Sequence, residues 1–460
     1  MMQRKILFWS ITVALGGFLF GFDTAVISGA EQSIQELWQL TVIEHGLTVS
    51  IALIGTVLGA LFGGIPSDAI GRKNTLFWIG VLYLVSAVGS ALATDWYSFL
   101  FFRFIGGIGV GASSVAAPMY ISEIAPADRR GRMVGMFQFN IVLGILIAYL
   151  SNYLLKDAGS SAWRWMLGVE AVPALAFVSL MLLVPKSPRW LVVKRGAVDE
   201  ARAVLMQINP QTADAELKAI IASKGTPQTG ISTSRLFSKQ YSFPVMLAIL
   251  FAVFNQVSGI NAIIYYAPRI FEMTGLGKES ALLSTTGIGV VNLLFTMIGL
   301  NLIDRVGRKR LMLVGSVGLI LTLGLVARAF YVENFSGMMV PLCLFAYIAF
   351  FAMSQGAVIW VFISEIFPNQ VRAGGQALGS FTHWIMAAGI AFIFPYITAN
   401  LGAGNTFMIF AGMMVLQLLF VWRIMPETKG MALESVGRKT AAPADLKSEK
   451  VLEGYTTKTY

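Results

Sequence analysis

The stretch DAIGRK at residues 68–73 returns, slightly changed, as DRVGRK at residues 304–309. Both copies are short, carry two adjacent basic residues and lie between long apolar runs. Two further pairs keep nearly the same spacing: EIAPADRR at 123–130 with EIFPNQVR at 365–372, and PKSPR at 185–189 with PETKG at 426–430. Offsets of 236, 242 and 241 residues are each just over half of the 460-residue chain. The sequence therefore predicts one structural unit that is used twice in the same orientation.

Apolar runs of membrane-spanning length recur along the whole chain. Hydrophobic residues make up 56% of it and charged residues only 13%, whereas a soluble protein carries roughly a quarter charged residues. A helix of about 20 residues crosses ~30 Å of hydrocarbon, and these runs are too long and continuous for barrel strands. Twelve runs are predicted as helices: 6–28, 47–67, 74–94, 97–119, 132–154, 163–184, 241–272, 280–303, 309–331, 338–363, 373–398 and 404–424.

The predicted fold class is an all-α membrane protein with twelve transmembrane helices in two six-helix bundles. The domain boundaries follow from the repeat: a first bundle at 1–184, a cytoplasmic helical loop at 185–240, a second bundle at 241–425 and a cytoplasmic tail at 426–460. Parallel repeats of this kind are typical of transporters that bind their substrate between two bundles near the membrane midplane.

Basic residues are distributed very unevenly between the two sides of the predicted membrane. With the amino terminus inside, 28 of the 34 Lys and Arg residues lie in inner segments and five lie outside. By the positive-inside rule both termini are cytoplasmic, and a cell (inner) membrane location is expected. The net charge of +10 thus reflects topology and gives no reason to expect nucleic acid as a partner. A single cysteine, Cys343, excludes an internal disulfide and a cysteine-based metal site, so no metal or cofactor is expected.

The loop between the halves contains two short amphipathic patterns, at 199–208 and 213–222. Both are interpreted as short cytoplasmic helices. They either link the two bundles on the inner side or form a solvated connector.

Three ionisable residues interrupt the apolar runs at a similar depth. Asp23, Arg103 and Glu170 each lie five to seven residues from the outer end of their run, which is roughly 8–11 Å into the membrane. An unpaired charge there costs at least ~2.5–3.5 kcal/mol, so the three should pair or face a water-filled cavity. One interpretation is a fixed ion pair that orients helices. The other is proton coupling, because burial makes the charged carboxylate costly and lets it exchange protons near neutrality.

Carboxamide side chains form a second polar set inside apolar runs. The amides are Gln138, Asn255, Gln256, Asn261 and Asn292. Asn and Gln both donate and accept hydrogen bonds, which suits a polyhydroxyl ligand; the alternative is hydrogen bonding between helices.

Local chain geometry and aromatic neighbours refine the ligand interpretation of this set. Gln256 and Asn261 would diverge on a regular helix, and Gly259 between them predicts a local break. Trp360 and Trp384 could offer faces to a sugar ring, and His383 is a candidate ligand or a packed histidine.

The glycine-rich stretch RFIGGIGVG at 103–111 has G-x-G spacings that can suggest a nucleotide site. It lies inside an apolar run with no strand before it, so close helix packing is the better explanation.

Taken together, these motifs resemble the sugar porter family of the major facilitator superfamily over nearly the full length. The resemblance rests on GFDTAVISGA, DAIGRK, RFIGGIGVG, PMYISEIAPADRRG, PKSPRWL, QVSGINAIIYYAP, DRVGRK, WVFISEIFP and PETKG, in this order. The chain looks most similar to the proton-coupled, xylose-type members. The facilitative uniporters of the family generally lack an acid at the position of Asp23.

The resemblance implies sugar contact by Gln138, Gln256, Asn261, Trp360 and Asn292. Several positions depart from the family pattern: Asn255 stands where glutamine is usual, and His383 stands where relatives have glutamine or asparagine. In addition, Ala357 replaces a proline and Lys186 replaces a glutamate. The resemblance also implies an inner gate of ion pairs made by Asp68, Arg72, Glu123, Arg130, Arg189, Asp304, Arg308, Glu365, Arg372 and Glu427.

The expected function is monosaccharide import by proton symport, with no enzymatic activity. The expected partners are the sugar, protons and the lipid bilayer, and the protein is expected to be a monomer. A facilitative uniporter with Asp23 and Arg103 as a structural pair is the main alternative. A non-transporting sugar sensor and a drug exporter are weaker ones. The sugar itself remains open among hexoses, pentoses and polyols.

Overall fold

The computed structural model describes residues 2–125, 130–223, 236–333, 335, 338–368 and 371–429. All regular secondary structure in these ranges is helical. The first half contains α1 (Met2–Leu37), α2 (Val42–Phe62), α3 (Gly64–Ala69), α4 (Arg72–Leu92), α5 (Trp96–Ile124), α6 (Arg130–Leu155), α7 (Ala162–Gly168) and α8 (Ala171–Leu183).

Short helices follow on the inner side, and the second half repeats the pattern of the first. The connector holds α9 (Pro188–Trp190), a π-helical turn (Leu191–Arg195), α10 (Val198–Ile208) and α11 (Ala213–Ser223). The second half holds a 3₁₀ turn (Lys239–Tyr241), α12 (Ser242–Val257), α13 (Ile260–Glu272), α14 (Lys278–Val306), α15 (Arg308–Val332), α16 (Met339–Phe351), a π-helical turn (Ala352–Gly356), α17 (Ala357–Glu365) and α18 (Arg372–Arg423).

Twelve spans are present, as the sequence predicts. Eleven helical stretches of the described chain are long and apolar enough to cross a membrane, and α18 is the last of them. It has 52 residues, far more than the roughly 20 that one crossing needs. Gly402 interrupts it with φ 80° and ψ 156°, outside the helical region. The helix therefore divides there into an eleventh and a twelfth span.

The two halves pack against each other through equivalent helices. Inside the first half α1 packs on α6, and α2 and α4 pack on α5. Across the halves α2 contacts α18, α6 contacts α14, and α1 contacts α13. The second and eleventh spans therefore pair across the halves, as do the fifth and eighth, which is the arrangement expected of a parallel repeat.

The glycine-rich stretch of α5 allows a very close approach to α2. A Cβ atom on Gly107 would lie 1.9 Å from the Ala52 carbonyl oxygen, and one on Gly111 would lie 2.1 Å from that of Thr56. Gly55 and Gly59 of α2 likewise lie so close to the α5 backbone that an added Cβ would clash with it. The packing interpretation of this stretch is thus confirmed, since a side chain on either helix would force the backbones apart.

Three spans depart from a regular continuous α-helix in the structure. The sixth span has irregular hydrogen bonding between α7 and α8, where Pro173 has no N–H to bond the Val169 carbonyl, although Val169 and Glu170 keep helical φ and ψ values. The seventh divides between α12 and α13 at Gly259, which has φ 86° and ψ 10°. The tenth contains the π-helical turn of Ala352–Gly356. Breaks inside a membrane are tolerated where the backbone is buried in protein or lines a cavity.

The two amphipathic patterns in the connector form the expected helices. α10 and α11 lie beside each other, and the Arg202 Nε atom donates to Asp214 Oδ1 at 2.8 Å. Arg202 holds the pKa of the Asp214 carboxyl below its usual range. The predicted tail beyond residue 429 lies outside the described residues.

Candidate functional site

The amides of the seventh span form one buried, directly bonded cluster. Asn261 donates to Gln256 Oε1 at 2.6 Å, and Gln256 donates to Asn255 Oδ1 at 2.9 Å. All three side chains are buried. The cluster therefore offers donors and acceptors in one place inside an otherwise apolar bundle.

The helix break is what brings these amides together. Gln256 lies at the end of α12 and Asn261 at the start of α13, five residues later. Gly259 between them adopts a left-handed conformation that other residues rarely take. A Cβ there would also lie 2.5 Å from the Phe410 ring. The break predicted at Gly259 is thus confirmed.

Aromatic rings and a histidine border the amide cluster. The Gln256 side-chain nitrogen lies 3.2 Å from both ring nitrogens of His383. The His383 ring lies 4.9 Å from the Trp360 ring and 4.8 Å from the Trp384 ring, centroid to centroid. Trp360 is partly exposed, at 37%, whereas Trp384 is buried and contacts Phe20 of the first half. The cluster thus reaches the boundary between the halves.

Two predicted amides lie near this boundary without joining the bonded cluster. Gln138 on α6 and Asn292 on α14 are both half-buried, and these two helices pack against each other across the halves. Asn292 accepts from Thr296 at 3.4 Å on its own helix. Among the described residues, no hydrogen bond links either amide directly to Gln256.

Gln355 is a buried amide that the sequence analysis did not select. It lies in the π-helical turn of the tenth span, and its backbone oxygen faces the Asn255 amide at 3.5 Å. Its own Oε1 atom is buried and accepts no hydrogen bond in the described structure. A glutamine in the middle of an apolar run was the available signal. A buried, unbonded acceptor beside the amide cluster is suited to a ligand hydroxyl.

The three ionisable residues of the first half meet in one place. Arg103 Nη1 donates to Asp23 Oδ1 at 2.5 Å, and Nη2 donates to the Asp23 backbone oxygen at 3.1 Å. Glu170, at the break between α7 and α8, lies within hydrogen-bonding reach of Asp23. All three are at most 2% exposed. The structure thus brings together the acids and the arginine that the sequence placed at one depth.

The surroundings of this ion pair leave some polar atoms unbonded. Arg103 Nε and Glu170 Oε1 are buried without hydrogen-bond partners in the described structure, as is the Tyr83 hydroxyl. Gly106 keeps the space open, since a Cβ there would lie 2.3 Å from the Ser86 hydroxyl oxygen. Unbonded buried groups of this kind are sites where water or a proton can be accommodated.

Tyr265 lies near the ion pair and on the same helix as Asn261 of the amide cluster. It is on α13, one turn after Asn261, and is within hydrogen-bonding reach of Thr24 on α1. Its hydroxyl also lies within the electrostatic influence of Asp23 and Arg103. A movement of α13 against α1 therefore changes the surroundings of both polar sites at once.

The repeated DAIGRK and DRVGRK loops make equivalent ion pairs at the inner ends of the two halves. In the first half Arg72 pairs with Asp68 at 2.9 Å and with Glu123 at 3.1 Å. In the second, Arg308 pairs with Asp304 at 3.0 Å and with Glu365 at 2.7 Å. The repeat thus preserves a geometry as well as a sequence.

Further inner-end residues extend these pairs. Glu427 accepts from the backbone nitrogens of Arg308 and Lys309 at 3.0 and 3.1 Å. Ser187 donates to Glu123 at 2.5 Å, and Arg189 lies near enough for its charge to act on that carboxylate.

Two positions here differ from the family pattern or from the expected gate. Lys186 pairs with Glu200 of α10 at 3.1 Å, so the unusual lysine has a partner. Arg372 donates to the Phe367 backbone oxygen at 3.2 Å. The side chain of Arg130 lies outside the described part of the chain.

None of the inner-end ion pairs among the described residues joins the two halves. The ion pairs that the described residues make at this end each stay within one half or its connector. The halves are joined instead at the outer end, where Arg269 of α13 pairs with Glu31 of α1 at 2.8 Å. The structure is therefore closed at the end that carries Glu31 and Arg269, which the predicted topology places outside.

The pairing of Glu31 with Arg269 was not predicted, and Glu31 and the neighbouring His45 both lie outside the predicted runs. Glu31 lies past the predicted end of the first run at residue 28, although α1 continues to Leu37. His45 lies before the predicted start of the second. A buried pairing between residues 238 positions apart gives no local sequence signal.

The chain is similar to known proteins over most of its length. A family model described as "Sugar (and other) transporter" matches residues 9–439. The arabinose-proton symporter of Bacillus subtilis (strain 168) is 39% identical over 434 residues, covering 93% of each chain. The D-xylose-proton symporter of Escherichia coli (strain K12) is 35% identical, covering 93% of this chain and 94% of its own.

Solved structures of the xylose transporter XylE from E. coli have the same fold. The inward open conformation gives a TM-score of 0.83 at 34% identity, covering 94% of this chain and 99% of that one. The proton:xylose symporter XylE bound to 6-bromo-6-deoxy-D-glucose gives 0.77 at the same identity. Both the sequence match and the fold match extend over nearly the whole length of the chain. The chain therefore belongs to the sugar transporter family.

Proposed function

We propose that this chain carries a monosaccharide and a proton together across the membrane by alternating access. The observation that carries the proposal is the buried contact of Arg103 with Asp23, beside Glu170 and one short helix away from the amide cluster. A transporter that carries sugar without protons has no need of two acids and an arginine at the depth of the membrane core. Burying ionisable groups there costs free energy. The proton-coupled relatives named above support the same assignment.

The sugar binds between the halves, chiefly through the second. Gln256, Asn261 and Asn255 supply bonded donors and acceptors, and Gln355 adds a free acceptor. Each sugar hydroxyl can both donate and accept, so the amides exchange their bonds with one another for bonds to the ligand. Trp360 and Trp384 supply ring faces beside them, and His383 holds Gln256 from the eleventh span. Gln138 and Asn292 close the site from α6 and α14.

The proton acts on the Asp23–Arg103 contact. A proton bound by Asp23 from the outer side neutralises the carboxylate and frees the Arg103 guanidinium to interact with Glu170. Tyr265 then transmits the rearrangement to α13, where Asn261 contacts the sugar. On the inner side the proton leaves, and Arg103 recovers its hold on Asp23, which is the contact seen here.

The placement in the membrane follows the charge distribution. Both termini face the cytoplasm, the protein lies in the cell membrane as a monomer, and no nucleic acid is involved. The inner-end ion pairs of each half act as the inner gate. They join the halves in the outward-facing conformation and stay within each half in the inward-facing one described here.

Transport assays in proteoliposomes test the coupling. Addition of the substrate should alkalinise the outer medium as protons enter with the sugar. Asp23→Asn should keep counterflow exchange but lose accumulation against a gradient, because the carboxylate that carries the proton is gone. Asp157→Asn is a matched control, since Asp157 is an exposed outer acid. Accumulation by Asp23→Asn would overturn proton coupling at this residue.

A facilitative uniporter on the same fold is the second candidate. Arg103 contacts Asp23 through two hydrogen bonds, and such a contact is also suited to a fixed structural pair. Sugar uptake without any movement of protons in the same liposomes would favour this candidate over symport.

A further inference from the structure

A second buried ionic cluster lies at the outer end of the bundle, away from both polar sites. It consists of Glu31 on α1, His45 on α2, Arg269 on α13 and Gln35 on α1. Glu31 and His45 are fully buried, and the Arg269 side chain is 32% exposed. A carboxylate at this burial is costly unless it is well paired.

The partners of Glu31 come from both halves of the protein. His45 Nε2 lies 2.5 Å from Glu31 Oε2 and belongs to the same half. Arg269 belongs to the other half, and its Nε and Nη2 atoms donate to the two carboxylate oxygens at 3.1 and 2.8 Å. Arg269 also donates to Gln35 Oε1 at 2.6 Å. The arginine thus makes a bidentate contact across the boundary, which is the strongest form of this interaction.

Neighbouring contacts show that this end of the boundary is tightly closed. Tyr149 of α6 donates to the backbone oxygen of Ile264 on α13 at 2.8 Å. A Cβ on Gly46 of α2 would lie 2.2 Å from the Phe392 backbone oxygen on α18. Opening the outer side must therefore separate Arg269 from Glu31, because the two lie on opposite sides of the boundary.

The cluster is asymmetric in a way that makes this separation feasible. On opening, Glu31 keeps His45, which moves with it in the first half. Arg269 is already partly exposed and enters water, where a guanidinium is well solvated. The Glu31 carboxylate thus keeps a hydrogen-bonding partner, and the Arg269 charge is solvated rather than left buried, which would be the costly outcome.

We propose that Glu31, His45 and Arg269 form an outer latch that stabilises the outer-closed conformation and is released when the transporter opens outward. The latch is distinct from the Asp23–Arg103 contact and binds neither sugar nor the coupled proton. It sets the relative populations of the outward-facing and inward-facing conformations. Weakening it should therefore shift the conformational equilibrium in the absence of any substrate.

Spin-label distance measurements test the latch directly. In a Cys343→Ala background, Tyr97→Cys and Met338→Cys place labels on exposed outer positions of the first and second halves. Arg269→Gln and Glu31→Gln should each raise the long-distance population several-fold. Arg269→Lys, which keeps the charge but loses the bidentate geometry, should give an intermediate shift. Because the Arg269 side chain is partly solvated, we expect its variants to fold, and they still test the latch if Glu31→Gln misfolds.

Glu279→Gln is the matched control. Glu279 also pairs across the halves at the outer end, with Lys156 at 3.3 Å, but it is 67% exposed and should have little effect. Unchanged distances in both Arg269→Gln and Glu31→Gln would overturn the latch, as would an equal shift in Glu279→Gln. The measurement uses neither sugar nor a proton gradient, so a negative result would overturn the latch and leave the proposed function unaffected. A failure of proton-coupled transport would likewise leave the latch unaffected.

Discussion

Arg103 and Asp23 meet through two hydrogen bonds, one to the carboxylate at 2.5 Å and one to the Asp23 backbone oxygen at 3.1 Å. They lie on α5 and α1, 80 residues apart in sequence, and both are almost fully buried. The position of the Arg103 side chain therefore depends both on the charge of the Asp23 carboxylate and on the position of the α1 backbone. We therefore expect protonation of Asp23 to change the position of α1 relative to α5.

Replacing Arg103 alone should destabilise the folded protein much more than replacing Arg103 and Asp23 together. Arg103→Gln leaves buried Asp23 and Glu170 without a cation, and breaking such a pair costs about 3–5 kcal/mol. Adding Asp23→Asn should recover a large part of the lost stability, because an uncompensated charge is removed. Thermal unfolding of the two single variants and the double variant in detergent measures the coupling. Strictly additive losses would show that the two side chains do not interact.

Gln256 should be required for sugar binding. It bonds Asn255, Asn261 and His383 at the centre of the amide cluster, so Gln256→Ala should remove the ligand-induced rise in melting temperature for the true substrate. A panel of arabinose, xylose, glucose and galactose identifies that substrate.

A buried amide outside the cluster provides the control for this loss. Gln417 bonds Ser316 at 2.8 Å in a different part of the second half. Gln417→Ala should lower the melting temperature of the free protein and keep the sugar-induced shift. A normal shift in Gln256→Ala would place the sugar elsewhere.

Gly259 should tolerate alanine much less well than a glycine of the same backbone conformation. Gly259 and Gly275 have φ values of 86° and 85°, so alanine at either position carries the left-handed cost of about 1–2 kcal/mol. Only Gly259 is also crowded: an added Cβ would lie 2.5 Å from Phe410, whereas one on Gly275 would meet nothing within 4 Å. Overpacking adds about 1–3 kcal/mol. Equal melting temperatures for the two alanine variants would contradict this.

The close contact of α5 with α2 should be sensitive to a single methyl group. Gly107→Ala would place a carbon 1.9 Å from the Ala52 carbonyl oxygen, which forces the helices apart and should cost about 1–3 kcal/mol. Gly412→Ala, inside α18 with open space around it, should be neutral or stabilising by up to about 1 kcal/mol. The melting temperatures of the two variants test the difference. A Gly107→Ala protein as stable as Gly412→Ala would show that the helices can separate freely.

The sequence predicted the spans well because membrane burial leaves a local signal. Runs of apolar residues set the helices, and the basic loops set the topology, without reference to any tertiary contact. Gly259 predicted a break because only glycine adopts its conformation readily. The irregularity at Val169 was not predicted, since a single proline is compatible with several local geometries.

By itself, the sequence determined the duplicated twelve-helix architecture, the presence of two acids and an arginine at one depth, and the amides of the seventh span. The tertiary structure alone decided which of these groups touch. It placed Gln355 beside the amide cluster, kept the Arg72 and Arg308 pairs within their own halves, and joined Glu31 to Arg269 across 238 residues. The physical reason is that the cost of burying a polar group depends on its residue type and depth, which sequence reveals. Its partner depends on how helices from two halves pack, and that varies with the conformation of the transporter.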